Sequence, residues 1–172
     1  HDWIDTGQKI DDDAWHHVGF TYEISTDTIK IYLDGNLVAT RVYGNTGSDR
    51  WNDSNPALTA RFSHAAYVDS DQSTSILDNF LHATWSNTTI WFTDLNQSEV
   101  TELYNGGIPG DADSHSQTSN LRAWYKLDST NTGEDLSTND SHDRDASFFG
   151  VAGGDYVAIE QTPPAVDTLL LV

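Results

Sequence analysis

The sequence predicts an all-β fold, an antiparallel jelly-roll β-sandwich with one short helix near residues 96–105. Three observations predict it. Residues 15–22 and 28–34 alternate with period two and are rich in β-branched and aromatic side chains, as paired strands are. Asp34-Gly35-Asn36 supplies a tight turn after the second run, and a third run comes after it. Asn96-Gln97-Ser98-Glu99 reads as a capping box, with Val100, Leu103 and Tyr104 at helical spacing behind it.

The elements run in order. In the first strand His16, Val18, Phe20 and Tyr22 share one face, and Trp15, His17, Gly19 and Thr21 the other. In the second, Ile29, Ile31 and Leu33 oppose Lys30 and Tyr32, and LVATRVY (37–43) returns as the third strand of a meander. A polar loop (44–56), a strand (58–68), a second loop (69–75) and strand material over 76–95, interrupted near Ser86-Asn87, come next. The helix stops at Asn105-Gly106-Gly107, which tolerate the left-handed conformation. Residues 107–120 read as loop, 121–128 as strand, 129–145 as polar loop and 146–161 as one or two short strands. The apolar end, TPPAVDTLLLV, is expected to pack on this domain or on a neighbour. Residues 1–110 thus form one body of meander, strands and helix, and 111–172 either complete the sandwich or open a second unit.

Charge narrows the function. The chain carries 27 acidic residues against 8 basic ones, a net charge of −19. Nucleic acid is excluded as a partner because phosphate binding needs clustered Lys and Arg, and insertion into or docking on an anionic membrane is disfavoured too. Two readings of the acids remain: a solvated surface that keeps the protein soluble in salt, or Asp-rich turns that hold Ca²⁺. Cysteine is absent, so no disulfide or thiolate site supports the fold. No run approaches the ~18 apolar residues of a membrane span. The opening HDWIDTG lacks Met and any basic or apolar leader, and reads as the start of a mature or partial chain.

The pair His16-His17 poses a separate question. Neighbours on a strand point to opposite faces, so the two cannot chelate one ion together. The expectation is that one ring packs beside Trp15 and is hydrogen-bonded, while the other faces solvent.

Trp15, His17-Val18, Thr21-Tyr22 and Tyr32-Leu33-Asp34-Gly35 stand in the order of a recurrent laminin-G pattern. Ile90, Trp91, Leu95, Glu99, Val100, Leu103, Tyr104 and Gly106-Gly107 add its closing strand, capped helix and Gly-rich stop. Across residues 15–110 the chain therefore resembles the laminin-G-like domains of the concanavalin A-like lectin and glucanase superfamily. It departs from them at FLHATW, where Ala83 stands in place of the family's usual Gly, and in having few residues before position 14. Residues 121–150 resemble the family's opening segment instead. The tail also resembles the segment C-terminal to such domains in structural proteins of marine tailed phages.

The resemblance implies a sandwich, recognition of glycan, and often Ca²⁺ at the sandwich rim. Its glucanases use E-x-D-x-x-E on one strand, and no Glu-x-Asp occurs in this chain. With no nucleophile-elbow or phosphate-cradling motif either, no catalytic residue is assigned. For glycan, Trp51 with Asp49 and Asn52 offers an aromatic face beside polar groups, with Tyr67 a weaker aromatic; the alternative is a tryptophan that covers a sandwich end. Trp85, Trp91 and Trp124 are expected in the core. For Ca²⁺, the carboxylates are Asp69 and Asp71, Asp111 and Asp113, and Asp135 with Asp140, none in an EF-hand loop.

The expected function is a non-enzymatic recognition or display module on an extracellular or virion surface, as a decoration, tail or fibre component. It would contact glycan or neighbouring virion subunits, with a symmetric homo-oligomer as the usual arrangement. The alternative is a carbohydrate-binding module of a secreted bacterial adhesin or enzyme.

Overall fold

The computed structural model describes residues 4–43, 67–68, 77–78, 86–127, 133–138 and 145. Val18–Glu23 forms β1, Thr28–Leu33 forms β2 and Asn36–Val42 forms β3, paired antiparallel in the order β1-β2-β3. Val18 lies opposite Leu33 and Tyr22 opposite Ile29, while Thr28 lies opposite Val42. The predicted meander is present, with its first strand starting at Val18 rather than at Trp15. Between Ile31 and Tyr32 the register shifts, because Ile31 faces Ala39 and Tyr32 faces Leu37, which leaves Val38 as a bulge.

The turns use the residues the sequence supplies. Asp34 and Gly35 both have positive φ, at 50° and 73°, as the favoured two-residue hairpin turn requires. The β1–β2 link is a 3₁₀ turn over Ile24–Thr26, then Asp27 at φ 50°. Asp27 is buried, and the Tyr22 hydroxyl donates to its Oδ1 at 2.9 Å.

Helix α1 spans Gln97–Tyr104, and its predicted capping box forms in full. Asn96 Oδ1 accepts from the backbone N–H groups of Ser98 (2.9 Å) and Glu99 (3.2 Å), while Glu99 Oε2 accepts from Asn96 N–H at 2.7 Å. Asn105, at φ 45°, ends the helix in the left-handed conformation. Helix α1 docks on the β2–β3 turn. The Thr101 hydroxyl donates to Gly35 O at 3.2 Å, the Gln97 amide donates to the same carbonyl, and Gln97 Oε1 accepts from Leu37 N–H at 3.1 Å.

Strands β6 (Thr88–Trp91) and β7 (Leu121–Tyr125) pair antiparallel, with Thr88 opposite Tyr125. Between α1 and β7, where the sequence reads as plain loop, two 3₁₀ turns form over Ala112–Ser114 and Thr118–Asn120. Two apolar clusters hold these parts together. Tyr32, Leu95 and Val100 form one, and Ala112, Leu121 and Trp124 the other, with Trp91 packed against both. Complete burial of one such large side chain stabilises by about 1.5–3 kcal/mol. Trp91 and Trp124 are thus core residues, as expected, while Trp85 lies outside the described residues.

Residues 48–85 form a separate compact unit, in which β4 (Tyr67–Val68) pairs antiparallel with β5 (Leu77–Asp78) and Tyr67 faces Asp78. The rest of the predicted 58–68 strand, and the strands predicted over 146–161, lie outside the described residues. No described helix is long and apolar enough to cross a membrane.

Candidate ligand-binding cleft

A cleft of about 200 Å³ opens where three segments meet. Asn87 and Thr89, at the head of β6, form one wall. Glu102, Leu103 and Asn105, the end of α1 and its cap, form the second. The loop from Gly110 to His115 forms the third, through Asp111, Ala112 and Ser114.

The chain fixes each polar group for a local reason. Asn87 sits at φ 52°, a conformation that Asn tolerates better than most residues. Its Oδ1 accepts from the indole Nε1–H of Trp124 at 2.7 Å, and among the described residues its amino group has no partner. Thr89 Oγ1 accepts from Trp91 Nε1–H at 2.9 Å and keeps its own hydrogen to donate. The Asn105 amino group donates to Ile108 O at 3.2 Å, which leaves its Oδ1 as an acceptor.

The two carboxylates are anchored as well. Asp111 Oδ1 accepts from Asp113 N–H (3.0 Å) and Oδ2 from the Ser114 hydroxyl (3.2 Å), which caps the 3₁₀ turn. Glu102 accepts from the Ser116 hydroxyl at 2.5 Å and from the Ser116 N–H at 2.8 Å. Those two bonds hold its carboxyl below the usual carboxylate range. Glu102 Oε2 also lies 3.5 Å from His115 Nε2.

His115 supports this end of the cleft. It is 5% exposed, and its ring lies 4.7 Å from that of Trp91. Its Nδ1 accepts from Gln117 N–H at 3.0 Å, which assigns the hydrogen to Nε2, and Nε2 donates to Glu99 O at 3.0 Å. Both ring nitrogens are thus engaged within the protein.

The histidine pair near β1 is arranged differently from the sequence expectation. His16 precedes the strand, and its two ring nitrogens meet Asp34 Oδ2 (2.8 Å) and Asp12 Oδ1 (2.9 Å). Asp34 also accepts from His17 N–H through Oδ1 at 2.9 Å, tying the hairpin turn to the lead-in of β1. The two carboxylates raise the His16 pKa, Asp34 most. His17 packs against Tyr104, with ring centroids 6.0 Å apart, and its buried Nδ1 finds no partner among the described residues. Burial lowers its pKa. The hydrogen-bonded ring and the packed ring are two different histidines, and the bonds run to carboxylates.

Of the residues singled out in the sequence, Asp111 lies in the cleft wall, and Asp113 nearby accepts from the Thr138 N–H (3.3 Å) and hydroxyl (3.0 Å). Asp135 accepts from Trp124 N–H (3.0 Å), Ser137 N–H (3.0 Å) and the Ser137 hydroxyl (2.7 Å). Asp49, Trp51, Asn52, Asp69, Asp71 and Asp140 lie outside the described residues, and Tyr67 is described only as a backbone position in β4. Among the described residues no group of three His, Asp or Glu side chains is placed to hold a metal ion. Asn87, Thr89, Glu102, Asn105, Ser114 and His115 were missed as site residues. Asn87 and Asn105 carry a signal, an Asn at a break in a periodic run, but it announces a turn rather than a ligand.

Strands, a capped helix docked on a hairpin turn and a small cleft beside them make this a β-rich domain. Residues 1–101 match a laminin-G family of the concanavalin A-like lectin/glucanases superfamily, more than half of the 172 residues, and the chain belongs to that family. Neither the comparison with curated proteins nor that with solved structures gives a match. The superfamily carries a β-sandwich, and a carbohydrate-binding or recognition module fits it. The match takes in β1–β3, β6, Asn87 and Thr89, whereas the cleft residues from Glu102 onward lie beyond it.

Proposed function

We propose that the chain is a non-enzymatic glycan-recognition module on an extracellular surface, and that the cleft receives one sugar ring. The observation that carries this is the mixed set of groups left over in its walls. Asn87 and Thr89 retain donors, and Asn105, Asp111 and Glu102 retain acceptors. A sugar hydroxyl both donates and accepts, so it needs both kinds of partner within one ring's breadth. The volume is below the roughly 300–1,000 Å³ of sites for drug-sized ligands, which suits a single ring.

Glu102 does not suit the role of a glycosidase's acid. A glycosidase acid needs a carboxyl whose pKa is raised so that it holds a proton, and Glu102 is shifted the other way. The jelly-roll order of the sandwich belongs to the same proposal. Display on a virion, with neighbouring subunits as partners, is the rival setting; the leftover polar groups favour glycan.

Gly110 provides the test. It lines the cleft, its φ is not positive, and a Cβ there meets nothing within 4 Å. Gly110→Trp therefore accommodates its new Cβ and sets a large ring at the cleft rim. A glycan array should show binding by the parent chain that Gly110→Trp abolishes and Trp51→Ala preserves. The reverse pattern moves the site to the Asp49, Trp51, Asn52 and Tyr67 group. Binding to no glycan overturns the proposal. Calcium at the Asp-rich turns is a separate proposal, supported by their composition, and EDTA should then lower the Tm.

A further inference from the structure

One histidine ring fastens the lead-in of β1 to the rest of the domain. Residues 7–14 are exposed. Among the described residues, the other hydrogen bonds of this segment stay within it: Gly7 N–H to Asp5, Gln8 N–H to Thr6 and Ala14 N–H to Asp12. The bond that leaves it joins Asp12 Oδ1 to His16 Nε2 at 2.9 Å. Through Nδ1 the same ring meets Asp34 Oδ2, in the β2–β3 turn, at 2.8 Å.

Both contacts run to carboxylates, which only accept, so both ring nitrogens must donate. The imidazolium does this, whereas a neutral imidazole has one N–H and turns a lone pair on the second carboxylate. Asp34 keeps that one hydrogen. Its side chain is 31% exposed against 60% for Asp12, and His17 N–H fixes it through Oδ1. Loss of the proton therefore breaks the Asp12 arm.

We propose that His16 is a pH-controlled clasp, which holds the lead-in to the β2–β3 turn when charged and releases it in mildly alkaline solution. Asp34 and then Asp12 raise the His16 pKa above 6.5, so the clasp is complete below 6.5 and lost as pH rises through the raised value. At the acid end it lasts down to the Asp12 value, which the His16 bond lowers below 3.8. Asp11 and Asp13 flank Asp12 on the lead-in and are exposed, while the His17 ring packs on Tyr104, where burial favours its neutral form. The exposed Asp12 arm is screened by salt, so low ionic strength suits the test.

Trypsin cleavage after the exposed Lys9 tests the clasp, with loss of residues 1–9 from the full chain followed by mass. Each rate is compared with that of His16→Asn at the same pH, which cancels the protease's own pH dependence. At about pH 6 the parent should be cut about threefold more slowly than His16→Asn, and at about pH 9 equally fast. Asp12→Asn should be protected at both, because its amide accepts from the charged ring and donates to the neutral one. Protection equal at both pH values in the parent, absent at both, or as pH-dependent in Asp12→Asn as in the parent overturns the clasp.

Discussion

A Cβ placed on Gly35 would lie 2.9 Å from Cδ1 of Tyr104, closer than real side chains approach. The hairpin turn of the meander and the last turn of α1 therefore meet backbone against ring, and only glycine permits it. Gly35 also stands at φ 73°, where a side chain is strained in any surroundings. With the Gln97 and Thr101 hydrogen bonds to the same turn, this contact sets the position of the helix that walls the cleft.

Gly35→Ala should cost about 2–4 kcal/mol, the sum of left-handed strain and steric overlap. Gly19 is the control. A Cβ there meets His17 Cε1 at 3.7 Å and Tyr32 Cβ at 3.8 Å, which is ordinary contact, and its φ is not positive. Gly19→Ala should leave stability within about 1 kcal/mol of the parent. Urea unfolding of the two variants checks the contrast.

The capping box makes a second prediction. Asn96→Ala removes the acceptor for Ser98 N–H and Glu99 N–H, and should destabilise by about 1 kcal/mol. Asn96→Asp keeps that acceptor and should be close to neutral. Hydrogen exchange at Ser98 and Glu99 should rise in the alanine variant and stay protected in the aspartate one.

Asn87 joins the core to the cleft, which makes it a sharper case. Asn87→Ala leaves the indole N–H of the buried Trp124 without its acceptor, a loss of about 1–3 kcal/mol. Asn87→Asp retains an acceptor for that N–H but removes the amino donor at the cleft wall. It should fold with nearly parental stability in urea and bind neutral sugar more weakly.

The adjacent histidines should give opposite pH dependences. His16 has its folded pKa raised above 6.5, so its contribution is complete below 6.5 and is lost as pH rises through the folded value. His17 has its folded pKa lowered below 6.5, so the unfolded chain binds the extra proton and stability falls as pH drops below 6.5. Stability from this pair should peak near pH 6.5. In a Tm series against pH, His16→Asn should flatten the alkaline side, and His17→Phe the acidic side.

How far the sequence announces these features depends on range. The meander, its Asp34-Gly35 turn, the Asn96 cap and the Asn105 stop are local patterns, and each stands where its residues predict. The burial of the sheet is less direct. Alternation separates Ile29, Ile31 and Leu33 from Tyr32, yet Tyr32 is the fully buried one, because Leu95 and Val100 pack on its side. The cleft is less legible still. It is assembled from segments near positions 87, 103 and 112, and no periodicity within any of them marks a shared wall. Asp111, Asp113 and Asp135 drew attention as carboxylates for a cation, whereas the fold also uses them to hold backbone N–H groups and hydroxyls in irregular turns.

The most direct measurement is the indole N–H resonance of Trp124 in a heteronuclear NMR titration with the sugar that the glycan array selects. That N–H is bonded to Asn87 in the cleft wall, so a sugar bound there should shift it among the largest changes in the spectrum, together with the amides of Gly110 and Ser114. Saturable shifts gathered instead around Trp51, with Trp124, Gly110 and Ser114 unmoved, would contradict the cleft as the binding site.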